Sequence, residues 1–267
     1  MHIESCRLFL NSGDQPAQPL KPNWIEQVVK VMTKLFCYEN SYMKYCDSTV
    51  LQTSENGVIL DRTVFYPGGG GQPCDTGSLY WDEGICSVTR VRKSGDDLVH
   101  EVRGDCPAVG TVVRVEIDWE KRYQLMRTHT ALHILCGVIW RDFGALVTGG
   151  NMTPLAARMD FELEHMSSEF AVQIEELINL EVQTERDIYV KNIPRKEAFK
   201  IPDLIRMKIN KLPSAISEVR IVDITGLDLQ ADGGTHVANT KEVGNISVVG
   251  HQSKGRINKR LRISLDK

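Results

Sequence analysis

The sequence predicts an α+β protein, a small β-barrel followed by a second, mixed domain. Three observations carry that reading. Short β-rich segments recur between turn signals from Thr33 to about Asp118, as in small barrels and sandwiches. At Asp118 the pattern changes to a long helix that no proline interrupts. Beyond it, strands and helices mix without regular βαβ alternation. A chain of 267 residues is long enough to bury a core in each part.

Residues 1–31 stand apart. Pro16, Pro19 and Pro22 break the stretch, and only Trp24 to Val31 reads as a short helix. It is an extension, or the chain proper starts at Met32. In the barrel region, 32–118, strands are predicted at Val50–Thr53, Gly57–Leu60, Leu79–Trp81, Ser87–Val91 and Thr111–Ile117. Turns fall at Asn56-Gly57, Asp82-Glu83-Gly84 and Ser94-Gly95-Asp96. Within this region Gly68, Gly69, Gly70 and Gly71 precede Gln72-Pro73. Four glycines expose backbone amides and permit close approach by a ligand. Without a Gly-Lys-Ser/Thr ending this is not a phosphate-binding P-loop. Proline restricts the residue before it, which argues for a shaped loop over a slack connector.

The second region, 119–267, opens with a helix over Trp119–Phe143. A strand over Ala156–Phe161 follows, then a helix capped by Ser167 or Ser168, with Phe170, Ile174, Leu177 and Ile178 on one face. Next come a strand near Ile188–Val190, a short helix around Lys196–Lys200 and a strand at Glu218–Ile224. The final strands are Ile246–Val249 and Arg256–Ile263. In the last one Ile257, Leu261 and Ile263 mark a buried face, and Lys254, Arg256, Lys259 and Arg260 a positive one. Such a face suits phosphate contacts, or guards an edge strand against aggregation.

Composition narrows the classes. Hydrophobic residues at 42% and charged residues at 25% are ordinary for a globular chain. No apolar run is long enough for a bilayer and no secretory leader is apparent. The seven cysteines lack any Cys-x-x-Cys pair, which fits free thiols in a reducing cytoplasm. A formal charge of −3 excludes an indiscriminate nucleic-acid binder, so any RNA contact must come from a local patch.

The chemistry concentrates in two short words. His129 and His133 lie one helical turn apart and share a face. About a hundred residues on, Asp232 and His236 flank Gly233-Gly234-Thr235. Alone, the first is more often helix packing and the second a polar turn. Together they offer three imidazoles and a carboxylate, a donor set that Zn²⁺ accepts in tetrahedral geometry.

These words, with Tyr66–Gln72, Arg158–Phe161, Val222–Ile224 and the basic end, resemble the free-standing alanyl-tRNA editing proteins of the AlaX family, in their medium-length form. These are similar to the editing domain of alanyl-tRNA synthetase. The resemblance covers nearly everything after Met32. It implies a tRNA(Ala) partner rather than DNA, a barrel ahead of an editing domain, one zinc per chain, and hydrolysis of the ester linking serine, or glycine, to that tRNA. The family commonly has Cys where this chain has Asp232. The carboxylate then ligates directly or orients the site from behind; Cys136 and His251 are remoter substitutes. The nucleophile is a water on the metal or one aligned by the tRNA's own hydroxyls. To favour serine over alanine the site must hydrogen-bond a hydroxyl; Thr130 and Thr235, beside the ligands, are candidates, against a role in local capping. The glycine-rich loop would close over the acceptor end. Two rivals stand: a tRNA-binding adaptor with a structural zinc, and a zinc esterase or amidase for a small molecule. The sequence leaves the oligomeric state open.

Overall fold

The computed structural model describes residues 32–55, 57–208 and 216–267; the stretch 1–31, with the helix expected at Trp24–Val31, lies outside them. Six strands close a barrel: β1 Tyr45–Ser54, β2 Gly57–Leu60, β3 Gly77–Trp81, β4 Gly84–Ser94, β5 Asp97–Gly104 and β6 Val112–Ile117. Their order is β1-β2-β5-β4-β3-β6, with β6 returning to β1, and every neighbouring pair is antiparallel. Alternation fills the interior: Val113, Val115 and Ile117 of β6 point in while Val112 and Arg114 point out. The sequence does not announce β5, because His100 takes a core position where an apolar residue would complete the pattern. Its ring is fully buried, 3.0 Å from the Thr63 hydroxyl and edge-on to Phe65.

Helix α1 spans Trp119–Phe143, the bounds the sequence predicts. The Asp118 carboxylate accepts the Lys121 N–H at 3.2 Å to start it, and Gly144, left-handed at φ 63°, stops it. Every residue from Thr128 to Ile139 is buried, so the helix is enclosed on all sides. Around it lie β7 Val147–Thr153, β8 Ala156–Phe161, α2 Ser168–Gln183, β9 Ile188–Pro194, α3 Arg195–Ala198, β10 Glu218–Ile224, β11 Asp228–Ala231, β12 Ile246–Ser253 and β13 Lys259–Leu265. One sheet runs β12-β13-β8-β7 and the other β9-β10-β11. Leu135, Ile174, Val222, Phe161 and Ile263 belong to one core shared by α1, α2 and both sheets. In β7 the buried Val147 and Met152 are five residues apart, out of alternation, and in β11 the buried Asp228 and Gln230 are polar, which hid both strands from an apolar-alternation reading. No described helix is long and apolar enough to cross a membrane, and the described cysteines are all unpaired.

A buried ion pair joins α1 to the barrel. Arg122 bonds both oxygens of Asp75 and donates to the carbonyls of Ser41 at 2.9 Å and Val64 at 2.7 Å. Asp75 also accepts the Tyr66 N–H at 2.6 Å, and its own N–H returns to the Tyr66 carbonyl at 3.0 Å. The two ends of the glycine-rich loop are thereby clasped beneath the helix that carries His129.

The basic end differs from expectation. Strand β13 starts at Lys259, and Ile257 lies before it, 43% exposed. Lys259 shares the inward face with Leu261, Ile263 and Leu265, since side chains alternate with period two. Its ammonium is spent on the carbonyls of Gly255 at 2.7 Å and Arg256 at 2.8 Å. Arg260 clamps Asp160 on β8 through two bonds of 2.6 and 2.8 Å. Of the four cations, Lys254 and Arg256 are exposed, and Lys254 lies 3.6 Å from Asp160.

Candidate metal centre

His129 and His133 project from one face of α1 toward the turn after β11. That turn carries Asp232 and His236. One ligand atom from each of the four residues falls within 4.8 Å of all the others. The Asp232 Oδ1 lies 3.6 Å from His129 Nε2 and 4.0 Å from His133 Nε2, and its Oδ2 lies 3.1 Å from His236 Nε2. Gly234 makes this approach possible: a Cβ there would sit 2.1 Å from His129 Cε1. The Gly234 N–H also donates to Asp232 Oδ2 at 2.6 Å, fixing the carboxylate.

The far side of each ring is tied down. His133 Nδ1 is 2.8 Å from Asp228 Oδ2; a carboxylate can only accept, so the proton is on Nδ1 and the lone pair of the neutral ring is on Nε2. His129 Nδ1 meets Gln72 Oε1 at 3.0 Å, an oxygen that also accepts the Thr235 N–H at 3.0 Å. His236 Nδ1 meets the Thr130 hydroxyl at 3.2 Å. Orienting partners of this kind accompany metal-bound histidines. His236 Nε2 faces Asp232 Oδ2 at 3.1 Å, a separation that suits a shared proton or two ligand atoms of one cation.

The electrostatics suit a cation as well. Burial pushes His129 well below the ordinary histidine value and His236 down to about 4, so both rings stay neutral. Burial works the same way on His133, but the hydrogen bond and charge of Asp228 outweigh it and raise that ring. Burial opposes the Asp232 charge too, yet the surrounding imidazoles hold its carboxyl well below the usual range. Three imidazoles and one ionised carboxylate in a buried cluster fit Zn²⁺.

A cavity of about 390 Å³ abuts the cluster, bounded by His129, His133 and Asp232 on one side. Gly70 and Gly71 of the glycine-rich loop form part of its rim; Leu132, Met152, Met159 and Met207 give it apolar walls. All four loop glycines, Gly68 to Gly71, have positive φ, a path closed to most side chains. Gln72 turns inward from this loop, 2% exposed, and its Nε2 donates to the Thr235 hydroxyl at 2.8 Å.

Thr130 and Thr235 are fully buried and neither lines the cavity. Their hydroxyls face His236 and Gln72, behind the imidazoles, where they orient the ligands. Cys136 lines the cavity but stands outside the ligand group, and burial pushes its thiol up to about 12. His251 is on the surface beside Ser168 at 3.3 Å. Sequence reasoning missed Asp228, Gln230 and Arg206. The first two lie two residues apart on β11, just ahead of the turn that carries Asp232, and that spacing was the available signal.

Two family models match the chain. One, described as tRNA synthetases class II (A), covers residues 24–121 and so begins inside the stretch set apart as an extension. The other, the threonyl and alanyl tRNA synthetase second additional domain, covers residues 219–262, with Asp232 and His236. The alanyl-tRNA editing protein AlaX-M of Saccharolobus solfataricus is 39% identical over 86% of this chain and 98% of its own length. That of Methanosarcina barkeri is 36% identical over 88% and 99%. The alanine–tRNA ligase of Ignicoccus hospitalis is 38% identical over 81% of this chain, matching 24% of the longer protein. With relatives matched at these identities over almost their full length, the chain belongs to the AlaX-M family of alanyl-tRNA editing proteins.

Proposed function

We propose that this protein is a trans-editing deacylase, hydrolysing the ester of seryl-tRNA(Ala), and of glycyl-tRNA(Ala), at a site holding one Zn²⁺. The observation that carries the reading is the four-residue cluster opening onto a cavity, in a chain of this family. Zn²⁺ held there supplies Lewis acidity toward the ester carbonyl and the attacking water. His129, His133 and His236 offer Nε2, and Asp232 offers Oδ1 as a direct ligand while Gly234 restrains its other oxygen. Gln72, Thr130 and Asp228 hold the imidazoles in register, and Thr235 holds Gln72. Gly68 to Gly71 leave room at the rim for the acceptor end to approach. In this reading residues 119–267 carry the hydrolytic site, and residues 32–118 contribute the loop that supports it. Lys254 and Arg256 bring phosphate contacts from the basic end, whereas Lys259 and Arg260 serve the fold.

The cavity beside the ligands favours an enzyme over an adaptor with a closed structural zinc, because a catalytic site keeps an open approach to the metal. The test is deacylation of seryl-, glycyl- and alanyl-tRNA(Ala), with and without chelator. Seryl-tRNA(Ala) should be hydrolysed, alanyl-tRNA(Ala) spared, and chelator should stop the reaction. A rate unchanged by exhaustive chelation would remove the metal from the mechanism, and no hydrolysis of any ester by the metal-loaded protein would favour the adaptor.

A further inference from the structure

Favouring serine over alanine requires a polar partner for one hydroxyl, and Thr130 and Thr235 do not line the cavity. Its walls are mostly apolar. Away from the ligands, the side chains of Asn151, Cys136, Arg206 and Gln230 are its polar features. Arg206 is held to Asp228 through Nη1, and its Nε, which has no partner among the described residues, is inaccessible and so does not reach the cavity. Cys136 Sγ is already engaged by Gln230 Nε2 at 3.3 Å.

Gln230 is different. It lies on β11 two residues after Asp228, so these two side chains face the same way. Its Nε2 donates to Asp228 Oδ2 at 2.7 Å. That carboxylate is an obligate acceptor, already receiving His133 Nδ1 and Arg206. The amide therefore cannot flip: nitrogen must face Asp228, and Oε1 is fixed as an acceptor. Among the described residues this oxygen makes no hydrogen bond, although the side chain is 9% exposed and borders the cavity.

We propose that Gln230 Oε1 is the acceptor that recognises the side-chain hydroxyl of the misattached serine, making Gln230 a specificity-determining residue. The inference rests on the editing reading above. An alanyl group would cover the oxygen with its methyl and leave it desolvated and unpaired, at a penalty of about 1–3 kcal/mol, roughly 5- to 150-fold, whereas a glycyl group, without Cβ, leaves room for a water to bond it. The lock on the amide explains why the discrimination is one-sided. Oε1 can accept from a hydroxyl, but it offers a methyl group nothing.

The test uses the zinc-loaded full-length protein and two variants, Gln230→Met, which keeps volume without the acceptor, and Gln230→Asn, which draws it back. Two readouts are taken: deacylation of seryl- and alanyl-tRNA(Ala), and binding of two inert probes, 3′-deoxy-3′-(L-seryl)aminoadenosine and its alanyl counterpart. The wild type should favour the seryl member of each pair. In Gln230→Met that preference should fall about 10- to 100-fold through loss on the seryl side, with zinc content unchanged. Gln230→Asn should fall between. Equal losses for seryl and alanyl probes would overturn the proposal, since Oε1 would then be meeting the α-ammonium that both share. An unaltered ratio in both variants overturns it too. If Gln230→Met is poorly folded, the Gln230→Asn ratio decides. A wild type that hydrolyses neither tRNA, and whose probes bind equally, defeats the editing reading and this inference together. A wild type with seryl preference and unchanged variants defeats this inference alone.

Discussion

Gly234 shows how little freedom the centre leaves a single residue. A methyl there would collide with the His129 ring, so Gly234→Ala should displace a ligand and cut zinc affinity at least 10- to 100-fold, the usual cost of misorienting one. Equilibrium dialysis against a zinc indicator measures this; affinity within a factor of two of wild type would refute the contact. Asp232 is tested by exchange of donor. As a direct ligand, Asp232→Cys should retain or tighten zinc and Asp232→Ala should weaken it. Rescue by neither, with zinc unaffected by Ala, would place the carboxylate outside the coordination. In the barrel, burial pushes His100 down to about 4, against an ordinary value of 6.5. The unfolded chain takes a proton that the folded chain refuses, so stability is full above about pH 6.5 and falls as pH drops toward 4. The loss is on the order of 3 kcal/mol. His129 and His236 add to the slope in metal-free protein, so the measurement is a difference. Urea unfolding of wild type and His100→Leu at pH 7 and pH 4.5 should give the variant the shallower pH dependence.

Single elements act through what they clasp. Helix α1 bears His129 and His133, and its position over the glycine-rich loop depends on Arg122 and Asp75, both essentially inaccessible to solvent. Asp75→Ala would strand a buried guanidinium, costing about 3–5 kcal/mol, and would free the base of the loop that presents Gln72 to His129. Chemical denaturation should register the loss, and zinc affinity should fall with it; a cost under 1 kcal/mol would mean that water or the Val64 and Ser41 carbonyls suffice. Strand β13 divides its charges by face. Arg260→Ala should destabilise the fold, because Asp160, which that hydrogen bond holds below the usual carboxylate range, loses its main partner. Lys254→Ala with Arg256→Ala should leave stability alone, weaken tRNA binding and flatten its salt dependence. Identical salt slopes for this double variant and wild type would move the phosphate contacts elsewhere on the surface.

For the whole molecule, the cluster joins α1 to the turn after β11, two segments about a hundred residues apart that belong to one core. A ligand that binds only the folded arrangement stabilises it by mass action. Zinc at 100 times its dissociation constant should add about 2.7 kcal/mol. Thermal unfolding with and without chelator should therefore differ by several degrees, and Gly234→Ala should shrink the difference to about half or less. Coincident melting curves for metal-loaded and stripped wild type would show that the cluster holds no ion in solution.

Much of this architecture was legible because its signals are local. Helix α1 declares itself through Asp118 and a proline-free run, and most barrel strands through alternation between glycine turns. The four-residue metal set is written as two spaced words, each of which fits one face of a helix or one tight turn. What sequence could not decide were matters of register and of contacts between distant segments. Parity with Ile257, Leu261 and Ile263 already turns Lys259 inward on β13, but that its ammonium ends on the carbonyls of Gly255 and Arg256 is decided by the fold. Thr130 and Thr235 stand next to ligands in the chain but behind them in space, since a helix and a turn direct successive side chains differently. Asp228 and Gln230 interrupt the apolar pattern that marks strands, and they gain their meaning when β11 packs against α1. The sequence by itself determined which residues have the chemistry to hold a cation. Tertiary packing decided which of their neighbours hold the imidazoles and which border the cavity, because burial and hydrogen-bond direction are properties of the assembled core.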